Sequence, residues 1–175
     1  MSTPGTVAPV EWNDGKRYLW MLGALTITLP IIAAVSALAT GWHALWWAGP
    51  VIVFTVIPIL DVLIGDDRDN PPEAVVPTLE KQRYYRRIVY LATTVLYVSF
   101  AVAMWVLHTY ELTWYDYVAF AFSVGVVTGI SINTAHELGH KTDGFERWLA
   151  KITLAPVAYG HFFVEHNRGH HVRVA

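Results

Sequence analysis

The chain has 175 residues, the length of one domain, with 54% hydrophobic and only 15% charged residues, a balance that points to apolar surface facing lipid. A formal charge of −2 without dense lysine or arginine blocks leaves no basic face to neutralise phosphates, which argues against nucleic-acid binding. With no cysteine, disulfides, thiolate nucleophiles and cysteine-held metals are excluded within the chain.

Residues 1–17 are polar and carry Pro4, Gly5, Pro9 and Gly15, which predicts a disordered arm. Tyr18 to Thr40 then runs 23 residues without a charge, enough to cross a hydrocarbon layer of roughly 30 Å, with a kink expected at Pro30. A cleaved signal peptide is the rival reading, since Lys16-Arg17 precede the run and Ala37-Leu38-Ala39 has the small-residue form of a cleavage site. The run exceeds the usual apolar core of about 7 to 15 residues, so a retained helix is favoured. A second span is predicted over Leu45 to Ile64, holding one charge, Asp61. That carboxylate either sits at headgroup level or turns into the bundle toward a partner. Charge-free runs at Ile88 to Leu107 and Tyr117 to Ala135 complete four spans.

Loop charges set the expected orientation. Residues 65–87 carry Arg68, Lys81, Arg83, Arg86 and Arg87, whereas 41–44 and 108–114 carry no lysine or arginine. By the positive-inside rule the N-terminus, the loop after the second span and the end of the fourth are cytoplasmic. Trp20, Trp42, Trp46, Trp47, Trp105 and Trp114 fall near the expected interfaces. Residues 145–163 resemble a further span, but a crossing would separate the histidines on either side of it. A re-entrant or interfacial helical segment is therefore expected, helped by Lys151, Pro156 and Gly160. The fold class is all-α, a polytopic transmembrane bundle of about four spanning helices plus that segment.

Six of the eight histidines lie in the last 40 residues. On a helix, positions i and i+4 lie about 40° apart and one turn up, so His136 and His140 aim at one point, as do His166 and His170, with His171 adjacent. These five are the candidate metal ligands. His43 and His108 are expected to be structural or interfacial, and His161 lies off the face of His166 but stays in view. "HELGH" also fits a zinc protease, with Glu137 acting on water. Five imidazoles exceed what a catalytic zinc with an open position needs, and imidazole alone does not select among Zn, Cu, Fe and Ni. The count, the missing cysteines and the membrane setting lean toward an iron site that activates O2. Glu137 and Glu165 flank ligands and either orient imidazole N–H groups from outside the ligand sphere or are simply solvated.

Three stretches carry a resemblance: "NTAHELGHK" at 133–141, "LAPVAYGHFFVEHNRGHH" at 154–171 and "LDVLIGDDRDNPP" at 60–72. Together they resemble the first part of the membrane-bound alkane 1-monooxygenases, relatives of the integral-membrane fatty acid desaturases and hydroxylases. The resemblance implies a non-haem diiron centre held by three histidine boxes on the cytoplasmic face of the inner membrane. His136 and His140 match the first box, and His166, His170 and His171 the second. It implies terminal hydroxylation of alkanes with O2, and electrons delivered by rubredoxin and its NAD(P)H-dependent reductase. Fatty-acyl or xylene-type hydroxylation stays open beside it. The family's third box has no counterpart before Ala175, so residues 18–175 are expected to form an incomplete catalytic domain from a longer protein, and an inert membrane fragment is the third reading. Intramembrane zinc proteases share only the pentad, and the later aspartate ligand they need, borne on a transmembrane segment, has no counterpart after His140. On the second span, Trp47, Pro50, Phe54, Ile57 and Asp61 share a face, and Phe54 and Ile57 are the expected lining of an alkane channel, with ordinary helix packing as the alternative.

Overall fold

The computed structural model describes residues 12–65 and 70–170, without the side chains of Asn167 and Arg168. All of its regular structure among these residues is helical. We number the helices α1 (Trp20–Thr26), α2 (Leu29–Thr40), α3 (His43–Ile64), α4 (Val76–Glu80), α5 (Arg83–Thr109), α6 (Trp114–Gly139), α7 (Gly144–Leu154) and α8 (Phe162–Val164), the last widening into a π-helical turn at Glu165–His170. Helices α3, α5 and α6 are each long and apolar enough to cross a membrane, and the bent pair α1–α2 makes a fourth span if it crosses as one.

The bends follow from proline. Between Arg17–Thr26 and Leu29–Thr40 the axis turns by 58°, because Pro30 cannot donate to the carbonyl of Thr26 and its ring collides with that oxygen. The break thus falls one turn before the proline, where the Leu25 carbonyl accepts from both the Thr28 N–H at 2.9 Å and Thr28 Oγ1 at 2.6 Å. Pro58 acts similarly in α3. The turn before it relaxes to a π-helix over Ile52–Val56, with the Ile57 N–H reaching back five residues to the Ile52 carbonyl. Gly41, at φ +69°, ends α2 in the left-handed conformation, its N–H donating to Ala37 O. The two-residue turn that follows sends α3 straight back.

Alanines set the spacing of the bundle. Ala33, Ala34 and Ala37 of α2 are buried, and Ala34 and Ala37 pack with Ala103, Ala119, Phe120 and Trp46, since small side chains let helix backbones approach in a medium where lipid competes for apolar contact. Trp46 therefore belongs to the core, 4.9 Å from the Phe120 ring, while Trp20, Trp42, Trp47, Trp105 and Trp114 stay exposed. The closest approach is between α3 and α6. A Cβ on Gly49 would lie 3.0 Å from Ser123 Cβ and 3.2 Å from its Cα, and Ser123 Oγ donates to the Trp46 carbonyl at 2.6 Å. Gly49→Val should therefore cost about 1–3 kcal/mol of stability through overpacking; an unchanged unfolding midpoint in mixed micelles would show that the two helices part freely.

The two ends of the bundle differ. At one, His43 Nδ1 donates to Asp116, at 2.8 and 2.9 Å from its two oxygens, and Thr113 caps α6 by accepting from the Asp116 N–H. His43 thus takes a structural role. At the other end lie Arg17, α4, the start of α5 and the end of α6. Here Tyr84 donates to the Arg17 carbonyl at 2.9 Å and Tyr85 to the Asp14 carboxylate at 2.5 Å, so residues 12–17 of the predicted arm pack on α5; residues 1–11 lie outside the described residues.

The segment at 145–163 does not cross. Asp143 caps α7 by accepting from the Phe145 N–H at 2.8 Å, and the helix ends after 11 residues, roughly half of what a span requires. A 3-10 turn at Ala155–Val157 and a left-handed Ala158, φ 53°, then reverse the chain. The Tyr159 N–H closes the reversal on the Leu154 carbonyl at 3.2 Å. Helix α7 lies on α6 through Ala150 and Leu154 and exposes Phe145, Trp148 and Ile152, the one-sided apolar stripe of a helix in a membrane surface.

Candidate metal centre

Helix α6 continues about one turn past the apolar run, to Gly139, so His136 and His140 keep helical spacing at its end, with the His140 N–H bonded to the His136 carbonyl at 3.3 Å. Their Nε2 atoms stand 3.0 Å apart. The reversal at Ala158 returns the chain so that His166 joins them, its Nε2 3.2 Å from that of His140. The donor atoms of the three rings all lie within 4.8 Å of one another. One metal with bonds of about 2.0–2.1 Å to imidazole nitrogen sets neighbouring donors roughly 3.0 Å apart at right angles and roughly 3.4 Å apart in a tetrahedron. The two Nε2 separations match these values, so the three rings could hold one cation between them.

The scaffold beneath is apolar. Ala135 and Leu138, on either side of His136, are buried against Ala150, Leu154 and Phe163, so the α6 end cannot rotate without exposing them. Phe162 stacks on the His166 ring at 4.9 Å and 17°, and His170 stacks on its other neighbourhood at 5.6 Å and 19°. The π-helical turn brings these two rings parallel, where an α-helical i,i+4 pair had been expected. His171 lies outside the described residues, as do residues 66–69 of the resemblance at 60–72.

Other predicted residues fall around this cluster. Glu137 turns to Lys141, at 2.7 Å, which also stands 3.6 Å from Glu80. Burial disfavours the Lys141 ammonium, but the hydrogen bond to Glu137 and the charges of Glu137, Glu80 and Glu146 outweigh this and hold its pKa above the ordinary lysine value. Glu165 is exposed at the start of the π-turn, its N–H bonded to the His161 carbonyl at 3.0 Å. The His161 ring meets Tyr159 edge-on at 4.6 Å and stands apart from the three converging donors. Asp61 is exposed near the end of α3. Phe54 is 62% exposed and stacks on Phe122 at 6.4 Å, and Ile57 is 42% exposed.

Sequence reasoning missed the buried carboxylate that ties α7 to α5. Glu146 of α7 is 3% exposed and accepts from Arg86 Nε at 2.9 Å and Tyr90 Oη at 2.7 Å, both on α5. Tyr97 Oη adds a bond to the Ile152 carbonyl at 2.7 Å, and Thr93 pairs with Thr153 at 2.9 Å. Tyrosine, threonine and arginine recurring at 86, 90, 93 and 97 mark one α5 face, a signal of polar contact whose partner the sequence leaves open.

The chain is 46% identical over 165 residues to the alkane 1-monooxygenase of Pseudomonas putida, a match covering 94% of this chain and 41% of that protein. With alkane 1-monooxygenase 1 of Alcanivorax borkumensis the identity is 44%, covering 93% and 40%. With the alkane 1-monooxygenase of Acinetobacter baylyi it is 33%, also covering 93% and 40%. The chain thus spans about two fifths of the length of these relatives, and no protein-family model matches it.

Proposed function

From its kinship with part of the alkane 1-monooxygenases, we propose that this chain is the membrane-embedded portion of a terminal alkane hydroxylase bearing its first two histidine boxes. His136, His140, His166 and His170, together with His171 outside the described residues, would hold non-haem iron, two ions in the whole enzyme. When bound, iron supplies the redox chemistry by which O2, reduced with electrons from rubredoxin and its NAD(P)H-dependent reductase, oxidises a terminal methyl to the alcohol. The protein's own work is placement and exclusion. Helices α6 and α8 converge the imidazoles, Phe162 fixes the plane of His166, and the Leu138–Leu154–Phe163 cluster keeps water from beneath the ligands. We place this end of the bundle on the cytoplasmic side of the inner membrane, in line with the arginines and lysines of 65–87.

The observation that carries the reading is the approach of three Nε2 atoms at the end of an apolar bundle. Metal analysis of the detergent-purified enzyme containing this chain, paired with octane turnover in membranes supplied with rubredoxin and its reductase, tests it. Iron with octanol formation is the expected result. One equivalent of zinc and no alkane oxidation would instead favour the protease chemistry of the pentad, and a metal-free, inactive protein would sink both.

The alkane path is proposed along α3, where Phe54 and Ile57 face outward and Phe54 leans on Phe122 of α6. Phe54→Ala in the enzyme containing this chain should lengthen the alkanes accepted, by removing a ring that blocks the end of the path. Identical product profiles from short and long alkanes would count against it.

A further inference from the structure

A cavity of about 440 Å³ opens at the charged end of the bundle, lined by Glu137, Leu138 and Lys141 of the α6 terminus and by no described histidine. It lies within the size range of small-molecule sites. Its apolar lining comes from Ile88 and Val89 of α5, Leu138, and Val76 and Leu79 of α4. The rim is charged and sits where the charge-free runs of the spans begin, the level of lipid headgroups. An apolar wall below a polar rim at that depth suits an amphiphile standing in the membrane.

The rim also selects a headgroup. Four carboxylates, Asp14, Glu80, Glu137 and Glu146, face three cations, Lys16, Arg86 and Lys141. Arg86 is bound to Glu146 at 2.9 Å, and Lys141 to Glu137 at 2.7 Å, so the excess charge offered to a ligand is negative. Trp12, Trp20 and Tyr85 line the same space, and Trp20 meets Tyr85 edge-on at 5.9 Å. Aromatic faces beside carboxylates recognise ammonium groups. Arg86 uses Nε on Glu146, and a guanidinium carries further N–H donors that serve a phosphate. We propose that this cavity is a specific site for an amine-bearing phospholipid of the phosphatidylethanolamine class, its ammonium among Trp12, Trp20 and Glu80 and its acyl chain against Ile88 and Val89.

Native mass spectrometry of the full chain, delipidated in detergent and titrated with phosphatidylethanolamine or phosphatidylglycerol of matched chains, tests this. One phosphatidylethanolamine should be retained per chain, bound about five-fold more tightly than phosphatidylglycerol, the discrimination that one cation–π contact supplies. Glu80 is 58% exposed and Trp20 60% exposed, so Glu80→Lys and Trp20→Ala leave the bundle folded, which far-UV circular dichroism checks. Glu80→Lys should bring the two lipids to parity and Trp20→Ala should narrow the gap. Equal or stronger retention of phosphatidylglycerol by the unaltered chain, no retained lipid, or a preference that survives both substitutions would overturn the site.

Discussion

Replacing His140 with alanine should abolish metal retention, lowering iron per chain by at least about 100-fold against the unaltered protein. His140 is the shared member of the cluster, its Nε2 3.0 Å from that of His136 and 3.2 Å from that of His166. Its removal takes away one of the three converging donors and leaves His136 and His166, whose ring centroids lie 4.4 Å apart, one ligand short. Loss of groups merely bonded to ligands already costs 10- to 100-fold in metal affinity, and a ligand itself costs more. Two controls separate ligation from folding. His43→Ala removes an imidazole bonded to Asp116 at the opposite end of the bundle and should leave metal content unchanged. Glu137→Gln should hold metal within about two-fold, because its carboxylate is engaged by Lys141 and the exchange removes an exposed pair worth about 0–1 kcal/mol. Elemental analysis by mass spectrometry reads all three. Equal metal in the His140→Ala protein, or none in the unaltered chain, would remove the centre from this chain.

The second large effect is expected at Glu146. Its carboxylate is buried and accepts from Arg86 and Tyr90. Glu146→Ala would remove the acceptor of both donors and loosen the start of α7 on α5, leaving the Thr93–Thr153 and Tyr97–Ile152 bonds farther along the helix. Breaking a buried ion pair costs about 3–5 kcal/mol, but Arg86 is 39% exposed and its guanidinium can turn to water, which reduces the figure to about 2 kcal/mol. Glu146→Gln keeps an acceptor for Tyr90 and should cost about half as much. Unfolding in mixed micelles measures the stability, and metal content measures the coupling. If α7 positions the second histidine cluster, metal affinity falls in Glu146→Ala and partly recovers in Glu146→Gln. Destabilisation with unchanged metal affinity would mean that Glu146 supports the fold alone.

Much of the architecture was legible because its causes are local. A charge-free run of about 20 residues has few fates other than a membrane span, so the second, third and fourth predicted spans fall inside single observed helices, while the first is broken between Thr26 and Leu29. Each of those three helices extends beyond its apolar run, as α5 does from Ile88 back to Arg83 and α6 from Ala135 on to Gly139. Hydrogen bonding propagates a helix into polar ends that hydropathy alone would leave out. The bend before Pro30 and the turn back at Gly41 were readable in kind, since proline and glycine restrict the backbone wherever they stand. Less visible was the π-helical widening before Pro58, because a proline in a long helix can be relieved by a kink, a break or an extra residue in the turn.

By itself, the sequence determined the helical class, the spans and the two histidine clusters, because length, hydropathy and i,i+4 spacing act over one or two turns. It also settled that no thiolate of this chain could serve a metal. Only the tertiary structure decided that, among the described residues, His166 is the member of the second cluster whose donor comes within reach of His140, and that a carboxylate on α7 binds α5. Those outcomes depend on a reversal at Ala158 and on packing between residues some 26 to 60 positions apart in the chain. Pairing over such separations is fixed by which side chains meet once the apolar faces have closed, and no local pattern encodes it.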